Sequence, residues 1–564
     1  MKKKIIPAIV AIALILIVLV ISFGAKLIEK YSYSYETADL TTDYYELTEH
    51  DEVAIVLQDT LIETRARTSD DGVLYLDFAS VQKLLNDRFY ADWNENLLIY
   101  TTPTDVIVNP IGTNTYTVSG TEQSEEYTIS YLDGDVLYVS LDYVKKYTNF
   151  SYEFFANPNR IQLRTEWGER TSAQIKKDTH VRMKGGIKSP VLRKITAGET
   201  VTILEKMEKW TKVKTTDAII GYVENKRLKN EVTETEIPVT DYAEPEYTSI
   251  SRDYTINLGW HQIMAYSAND TFEEVVNNTG TMNVISPTWF TLSDNYGSIT
   301  SLASSAYVDK AHARNMEVWG LIDNFSPEIS TKEVLSYTSR RTALIDNLMK
   351  ETLACGMDGI NVDFEQLGYD TGEDFTQFLR ELSIRCRANG IVLSVDNYVP
   401  RESTEHYNRK EQGIVADYVI IMGYDEHWGT GGVAGSVASI GFVEDGIVQT
   451  LEDVPAEKII NAIPFYTRVW KTKGGEVTSE AVGMDAAQAF VDNYVGEVRW
   501  DETTCQNYGE VTMGDTFYQV WLEDKQSIET KLTIMKKYNL AGVAAWKLGL
   551  ENKSIWNVID AFVK

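Results

Sequence analysis

Eight short apolar stretches recur along residues 251–564, and amphipathic stretches separate most of them. Their length and their β-branched and aromatic content are typical of buried strands, whereas segments such as SRRTALIDNLMKETLACG place apolar residues at helical spacing. Eight such units predict an α/β fold, a (β/α)8 barrel with its functional residues at the carboxyl ends of the strands. The predicted strands are 256–260, 282–290, 317–323, 359–365, 391–397, 418–425, 459–466 and 542–549.

The longest gap between predicted strands, residues 467–540, separates the seventh strand from the eighth. A crossover with one helix needs far fewer residues than this gap contains. We therefore predict a small inserted α+β subdomain there, which walls the groove at the carboxyl end of the barrel.

The stretch MDGINVDFEQL, residues 357–367, places three carboxylates in a run that otherwise predicts a buried strand. Alternate residues of a strand share a face, so Asn361, Asp363 and Glu365 point one way and the apolar residues between them point the other. Two carboxylates two residues apart repel each other, which favours a retained proton on one of them and suits a general acid. The alternative is an amphipathic edge strand with a solvated acidic face.

Residues 5–23, IIPAIVAIALILIVLVISF, carry no charge and are long enough to span a bilayer. With lysines at positions 2–4, this stretch predicts an N-terminal transmembrane anchor within residues 1–25 and places the rest of the chain outside the cytoplasm. A cleaved signal peptide is the alternative. The polar residues 26–50, rich in Tyr and Thr, are predicted to form a stalk.

Residues 51–167 contain an internal repeat, in which DGVLYLDFASVQKLLNDRFYADWNENLLIY matches GDVLYVSLDYVKKYTNFSYEFFANPNRIQL. Leu74 and Tyr75 of the first copy correspond to Leu137 and Tyr138 of the second. Each copy predicts a strand, a short helix and a hairpin. This duplicated α+β module resembles the N-terminal domain of copper amine oxidases, which implies a spacer or wall-contacting module without chemistry of its own.

Residues 178–230 predict a series of short β-strands joined by turns. Trp210 and the string Gly221-Tyr222-Val223 resemble the small all-β, bacterial SH3-like barrel that often accompanies cell-wall hydrolases. Trp210 belongs either to the core of this barrel or to a ligand groove. Residues 231–250, which are acidic and contain proline, are predicted to be an interdomain linker.

The net charge of −30 argues against a nucleic-acid partner, because phosphate would be repelled. Three cysteines are too few for a disulfide framework. The six histidines are scattered and form no HExxH motif, so neither a metal nor a cofactor is expected. A monomer is the default expectation.

Four strings at predicted strand ends, taken in chain order, resemble glycoside hydrolase family 18, the chitinase-like family. The fourth strand carries DGINVDFE, residues 358–365, where the family has DxxDxDxE. The sixth carries MGYD, residues 422–425, the seventh carries KIINAIPFYTRVW, and the eighth ends in Trp546. The resemblance covers about residues 252–564.

The resemblance implies a substrate-assisted mechanism, in which the 2-acetamido oxygen of the substrate is the nucleophile and the anomeric configuration is retained. Glu365 would protonate the leaving oxygen, Asp363 would hold the acetamido N–H, and Tyr424 would bind the acetamido carbonyl. Trp546 would form an apolar floor under the sugar. The further candidate substrate-binding residues are Asp358, Asn361, Met422, Asp425 and Trp289, and Asp323, Asn397 and Tyr398 are candidates for the groove.

Asn361 departs from the family pattern, which has aspartate at this position. An amide can hydrogen-bond to Asp363 but cannot carry negative charge or relay a proton. This change predicts lower activity or a displaced pH optimum. Because Asp363 and Glu365 are both present, an active enzyme is expected.

Three further strings, YDEHW (424–428), SPTWF (286–290) and VWLEDKQS (520–527), resemble the branch that acts on peptidoglycan and spore cortex. The expected protein is anchored in the cell membrane by a single span and hydrolyses β-1,4-linked N-acetylglucosamine glycans, most of all peptidoglycan or otherwise a chitin-like glycan, on the wall side. One alternative is a catalytically weak, lectin-like glycan-binding protein, against which Glu365 argues. Another is a wall-tethering protein in which the repeat and the SH3-like module carry the function.

Overall fold

In the computed structural model of the protein, which describes residues 5–238 and 240–563, the eight predicted strands form a closed parallel barrel. The first strand pairs with both the second and the last, which closes the sheet. The predicted (β/α)8 barrel is therefore confirmed. Its strands are β1 (Ile256–His261), β2 (Val284–Leu292), β3 (Glu317–Asp323), β4 (Gly359–Asp363), β5 (Val392–Tyr398), β6 (Tyr418–Met422), β7 (Ile459–Pro464) and β8 (Gly542–Trp546).

Helices cover the outside of the barrel, and an apolar layer fills the space between them and the strands. The two longest of these helices each end at a glycine with positive φ, Gly356 at 70° and Gly390 at 69°, a conformation in which glycine avoids the strain of a Cβ. The barrel-associated helices are Phe272–Val276, Ser305–His312, Thr331–Leu335, Thr338–Cys355, Gly372–Asn389, Arg409–Val415, Ile440–Thr450, Lys525–Lys537 and Ile555–Val563.

The insertion between β7 and β8 is a five-stranded antiparallel sheet with one helix, Met484–Tyr494. It ends earlier than the predicted bound of residue 540, because helix Lys525–Lys537 packs on the barrel core through Ile528, Leu532 and Met535. Their spacing is that of one helical face. The strands of the inserted sheet are Tyr466–Lys473, Glu476–Gly483, Val498–Asp501, Gln506–Met513 and Thr516–Leu522.

The chain divides into two compact units, and the barrel unit comprises Tyr90–Val108, Thr117–Thr121 and Pro245–Lys564. The other unit comprises Met1–Phe89, Asn109–Tyr116 and Glu122–Glu244. Its first seven-stranded sheet contains Glu52–Leu57, Thr60–Thr68, Leu74–Asp77, Ser130–Asp133, Val136–Ser140, Ser151–Phe155 and Arg160–Arg164.

Both copies of the internal repeat have the predicted order of strand, helix and hairpin. The first copy is Leu74–Asp77, Phe78–Leu84, Tyr90–Asp92 and Leu97–Thr101, and the second is Val136–Ser140, Leu141–Lys145, Ser151–Phe155 and Arg160–Arg164. The copies differ in where the hairpin packs. The first hairpin starts a separate five-stranded sheet, whose other strands are Val106–Pro110, Thr115–Val118 and Thr121–Ser124. This hairpin belongs to the barrel unit.

A second seven-stranded sheet corresponds to the predicted SH3-like barrel and has a small core of six aliphatic residues. Trp210 lies outside this core and lines a cavity of about 190 Å³ beside Tyr33 and Tyr35. The last strand continues to Thr235, inside the predicted linker. The strands are Glu169–Ile175, Thr179–Arg182, Val191–Ile195, Thr200–Lys206, Trp210–Thr215, Ile220–Glu224 and Leu228–Thr235.

The N-terminal apolar stretch is a helix, Ile5–Tyr31, of which Ile9–Tyr31 is long and apolar enough to cross a membrane. The lysines at positions 2–4, which carry the orientation prediction, lie outside the described residues. The predicted stalk is not free-standing. Tyr45 is fully buried in a small cluster with Leu47 and Ala54, and the Tyr44 hydroxyl donates to the Ile220 carbonyl of the SH3-like sheet over 2.6 Å.

Candidate active site

A cavity of about 140 Å³ opens at the carboxyl end of the barrel. The ends of six strands, or the residues directly after them, supply its lining. This is where a parallel barrel collects side chains from segments that are far apart in the chain. The lining residues are Trp260, Phe325, Asp363, Glu365, Asp396, Tyr398, Met422, Tyr424, Asp425 and Trp546.

The alternation predicted for the fourth strand is present. Ile360, Val362 and Phe364 lie in the apolar layer under the helices, whereas Asp363 and Glu365 face the cavity. Strand β4 pairs with β3 on one side and β5 on the other, so the alternative of a solvated edge strand is excluded.

Glu365 is held on two sides. The Tyr398 hydroxyl donates to its Oε2 over 2.5 Å, and the Asn324 side chain exchanges two hydrogen bonds of 2.9 Å with its backbone. Burial raises the pKa of Glu365, the charges of Asp425 and Asp323 raise it further, and the hydrogen bond from Tyr398 opposes them. A carboxyl whose pKa is raised holds its proton to higher pH than a free glutamate does, which suits a general acid.

Asp363 is 6% exposed, and its Oδ1 has no hydrogen-bond partner among the described residues. Burial raises the pKa of this carboxyl well above its usual range, and the negative charges of Asp396, Glu365 and Asp323 act in the same direction. A buried acceptor without a donor is costly unless a ligand supplies one. Asp363 is therefore suited to accept an N–H or O–H from a bound molecule.

Tyr424 and Asp425 follow β6 and form one wall of the cavity. Asp425 has φ 58°, and the Tyr466 hydroxyl donates to its Oδ1 over 2.6 Å. The Tyr424 ring meets the Tyr466 ring edge-on at 6.2 Å. Between strand and wall, Gly423 passes so close to β7 that a Cβ there would lie 2.8 Å from the Ala462 carbonyl oxygen. This close approach brings Tyr424 to the cavity.

Two tryptophans belong to the apolar part of the lining, together with Phe325 and Met422. The rings of Trp260 and Trp546 meet edge-on with their centroids 5.9 Å apart. The Trp260 indole N–H points away from the cavity and donates to Asn361 Oδ1 over 2.9 Å. Such a surface suits the apolar face of a sugar ring.

Asn361 lies below the cavity and does not bond to Asp363, contrary to the sequence prediction. Its two N–H groups donate to Ser394 Oγ at 3.0 Å and to Asp396 Oδ1 at 2.9 Å. Its Oδ1 accepts from the Trp260 indole and from the Ser286 hydroxyl. Because an indole N–H can only donate, the orientation of the amide is settled, and no N–H remains for Asp363.

Besides Asn361, two further residues predicted to bind substrate lie outside the cavity lining. Asp358, at the amino end of β4, accepts from the Val318 backbone N–H and contacts His312, each over 2.8 Å. Trp289 is 1% exposed, and its indole donates to Asn269 Oδ1 over 2.8 Å. Both predictions are corrected: Asp358 ties strand ends together opposite the cavity, and Trp289 is a core residue.

The cavity also contains residues that the sequence analysis missed, namely Asp396, Trp260 and Phe325. Asp396 had a detectable signal. In the predicted strand IVLSVDN, Ser394 and Asp396 alternate with Leu393 and Val395, which is the pattern that identified Asp363 and Glu365 one strand earlier. For Trp260 and Phe325, the sequence offers one signal of a place in the cavity, which is their position at or just after the end of a predicted strand.

The model of the glycosyl hydrolases family 18 matches residues 255–551, which contain all eight strands and every residue that lines the cavity. The chain belongs to glycosyl hydrolase family 18. A second model, the bacterial SH3 domain, matches residues 177–229. The barrel and the SH3-like sheet are thus identified independently of the strand patterns.

Two curated relatives and one solved structure illustrate what this family 18 member is similar to. The cortical fragment-lytic enzyme of Bacillus anthracis is 28% identical over 246 residues, 42% of this chain and 56% of the relative. The uncharacterized glycosylase YvbX of Bacillus subtilis (strain 168) is 26% identical over 293 residues, 49% of this chain and 84% of the relative. The spore cortex-lytic enzyme SleL of Bacillus cereus shares the fold, with a TM-score of 0.51, 22% identity, and coverage of 58% of this chain and 77% of that one.

Proposed function

We propose that the protein is a retaining glycoside hydrolase that cleaves β-1,4-linked N-acetylglucosamine glycans, with peptidoglycan as its substrate. The observation that carries the proposal is the pairing of an acid with an unpartnered acceptor. Glu365, with its raised pKa, and Asp363, with a free Oδ1, both line a cavity with an indole floor. The cortex-lytic relatives support the choice of glycan.

The surroundings of Glu365, Asp363 and Tyr424 suit each of them to one step of the hydrolysis. Protonated Glu365 gives its proton to the glycosidic oxygen as the C–O bond breaks. Asp363 accepts the acetamido N–H, so the acetamido oxygen can attack the anomeric carbon, and its negative charge stabilises the cationic intermediate. The Tyr424 hydroxyl donates to the acetamido oxygen. Glu365, now ionised, then takes a proton from the water that opens the intermediate, which gives net retention.

The location we propose is the outer face of the cell membrane. The helix Ile5–Tyr31 is the anchor, and the SH3-like sheet joins it through the packed residues that follow it. Intact-mass measurement of the membrane fraction tests the anchor: an uncleaved N-terminus supports it, and a mature chain starting beyond residue 25 contradicts it. Protease added to intact cells should digest the barrel if it faces outward.

The activity is tested with the full-length chain in detergent, incubated separately with purified peptidoglycan and with chitin oligomers. Mass spectrometry should find new reducing ends that carry N-acetylglucosamine, and nuclear magnetic resonance should show the β-anomer forming first. Glu365→Gln should abolish release. Glu529→Gln, an equivalent change on the exposed side of helix Lys525–Lys537, is the matched control. Binding of glycan without release by the unmodified chain would contradict the proposal.

A further inference from the structure

Asp396 stands beside Asp363 on the inner face of the barrel. Strands β4 and β5 are paired with Asn361 opposite Ser394 and Val362 opposite Val395. One more step along this register brings Asp363 opposite Asp396, and adjacent strands are separated by about 4.8 Å. Both side chains line the cavity, and Asp396 is 3% exposed.

No lysine or arginine lines the cavity in the part of the chain that the structure describes. The titratable groups facing Asp396 are Asp363 and Glu365 from β4, Tyr398 from β5 itself, and Tyr424 and Asp425 after β6. Asp323, at the end of β3, lies opposite Asp363 in the strand register but does not line the cavity. Two ionised aspartates this close, in a site without a cation, repel each other strongly, so the pair is more stable when it holds one proton.

Asn361 fixes one member of the pair. Its amide N–H donates to Asp396 Oδ1, and its own position is set by Ser394, Trp260 and Ser286. Burial raises the pKa of Asp396, the hydrogen bond from Asn361 opposes that rise, and the negative charge of Glu365 adds to it. Because Asn361 cannot carry charge, a carboxyl that pairs with Asp363 has to come from a neighbouring strand, and Asp396 of β5 is the one that lines the cavity.

We propose that Asp396 is a positioning residue that controls the protonation of Asp363: the two carboxyls share one proton, and Asn361 holds Asp396 in place for this exchange. The consequence for turnover rests on the proposed function. When the cationic intermediate forms, Asp363 must be ionised, and its proton moves to the Asp396 carboxylate. The pair keeps a charge of about −1 throughout, and no proton has to enter from solvent.

The pH dependence of kcat/KM for a fluorogenic N-acetylglucosamine oligosaccharide tests this role in the full-length chain. At the acidic limb the pair binds its second proton, and Asp396→Asn leaves Asp363 to titrate alone, with a pKa between the two macroscopic values of the pair. The acidic limb of the profile should therefore move to higher pH. Ser394→Ala, which removes one bond to Asn361 but no charge, should leave that limb in place.

The double variant Asn361→Asp with Asp396→Asn keeps one carboxyl and one amide beside Asp363. In this variant the carboxyl is on β4 and the amide is on β5. It should bring the acidic limb back toward its original pH, because two neighbouring carboxyls can again share a proton. A uniform loss of rate in Asp396→Asn, with the limb unmoved and no recovery in the double variant, would assign Asp396 a merely structural role and overturn the proposal.

Difference infrared spectroscopy separates this inference from the hydrolase assignment because it needs no turnover. The unmodified chain minus Asp396→Asn should show the C=O stretch of a protonated carboxyl at neutral pH, which titrates away as the pH rises. Two carboxylate bands at neutral pH, with no protonated band, would refute the shared proton. If no glycan is cleaved but the protonated band is present, the hydrolase proposal fails and the pair stands.

Discussion

Two sets of buried carboxylates in the barrel unit differ in what faces them. Outside the cavity, three buried glutamates each face a cation: Glu381 receives two hydrogen bonds of 3.0 Å from Arg341, Glu411 receives a hydrogen bond of 2.8 Å from Arg380, and Glu523 receives two from Lys531. In the cavity, the buried Asp363 and Asp396 and the half-buried Glu365 face one another, and none of the described residues that line it is a cation.

Burial of a charge is costly, and a paired partner reduces that cost. The paired glutamates therefore hold the structure together. The Arg341–Glu381 pair also reaches Tyr90, whose hydroxyl donates to Asp374 over 2.6 Å and so ties the first repeat hairpin to the barrel helices. The cavity carboxyls have no such partner in the free protein, so the free-energy cost of burying them remains. A substrate that brings a hydrogen-bond donor and a developing positive charge lowers this cost.

The largest expected effect is on kcat and follows from changing one of the cavity carboxyls, which have no cation partner. Glu365→Gln keeps the shape of the side chain but removes its proton transfer, so kcat should fall by about 10²–10⁴-fold. Reducing-end release measures the loss, and an unchanged thermal midpoint shows that the fold persists. A variant that kept a tenth of the activity would mean that another group supplies the proton.

Variants of the glutamates that are paired with a cation, or of that cation, should lose stability and not activity. Arg341→Met leaves the Glu381 charge buried without its partner and should lower the free energy of unfolding by about 3–5 kcal/mol. Urea denaturation followed by circular dichroism measures this change. The double variant with Glu381→Leu should recover most of the loss, since both charges are then absent. Equal destabilisation in the single and double variants would show that packing, and not the charge, carries the effect.

A smaller effect concerns the hydroxyl that links Tyr398 to Glu365. This hydrogen bond favours the ionised carboxylate and so lowers the pKa of Glu365. Tyr398→Phe should therefore raise the pKa, and the basic limb of the kcat profile, where the acid loses its proton, should move to higher pH by about one unit. A shift to lower pH would mean that Tyr398 acts on Glu365 by another route.

The smallest expected effect separates two tryptophans that the sequence analysis grouped together. Trp546→Phe should raise KM severalfold, because the ring lines the cavity. Trp289→Phe should leave KM unchanged and lower the free energy of unfolding by about 1–3 kcal/mol, since Asn269 loses its buried donor. Progress curves on one oligosaccharide series compare the two variants, and a raised KM in Trp289→Phe would return that residue to the groove.

Much of the architecture followed from periodicity. The eight strands lie where their apolar runs predicted, and the alternation in DGINVDFE already assigned Asp363 and Glu365 to the inner face. The helix Lys525–Lys537 was assigned to the insertion because no strand signal separated it from the sheet before it. The prediction of a stalk was wrong, because the tyrosines in this polar stretch follow no helix or strand periodicity that would show what they pack against.

The sequence by itself determined the barrel, the order of its motifs and the acidic character of the site, because strand period and strand order are local properties of a chain. Tertiary structure alone decided that Asn361 bonds to Asp396 and not to Asp363, that Trp289 and Asp358 lie away from the cavity, and that one repeat hairpin joins the barrel. The physical reason is that strand register and packing set which side chains meet across the barrel, and those contacts join residues far apart in the chain.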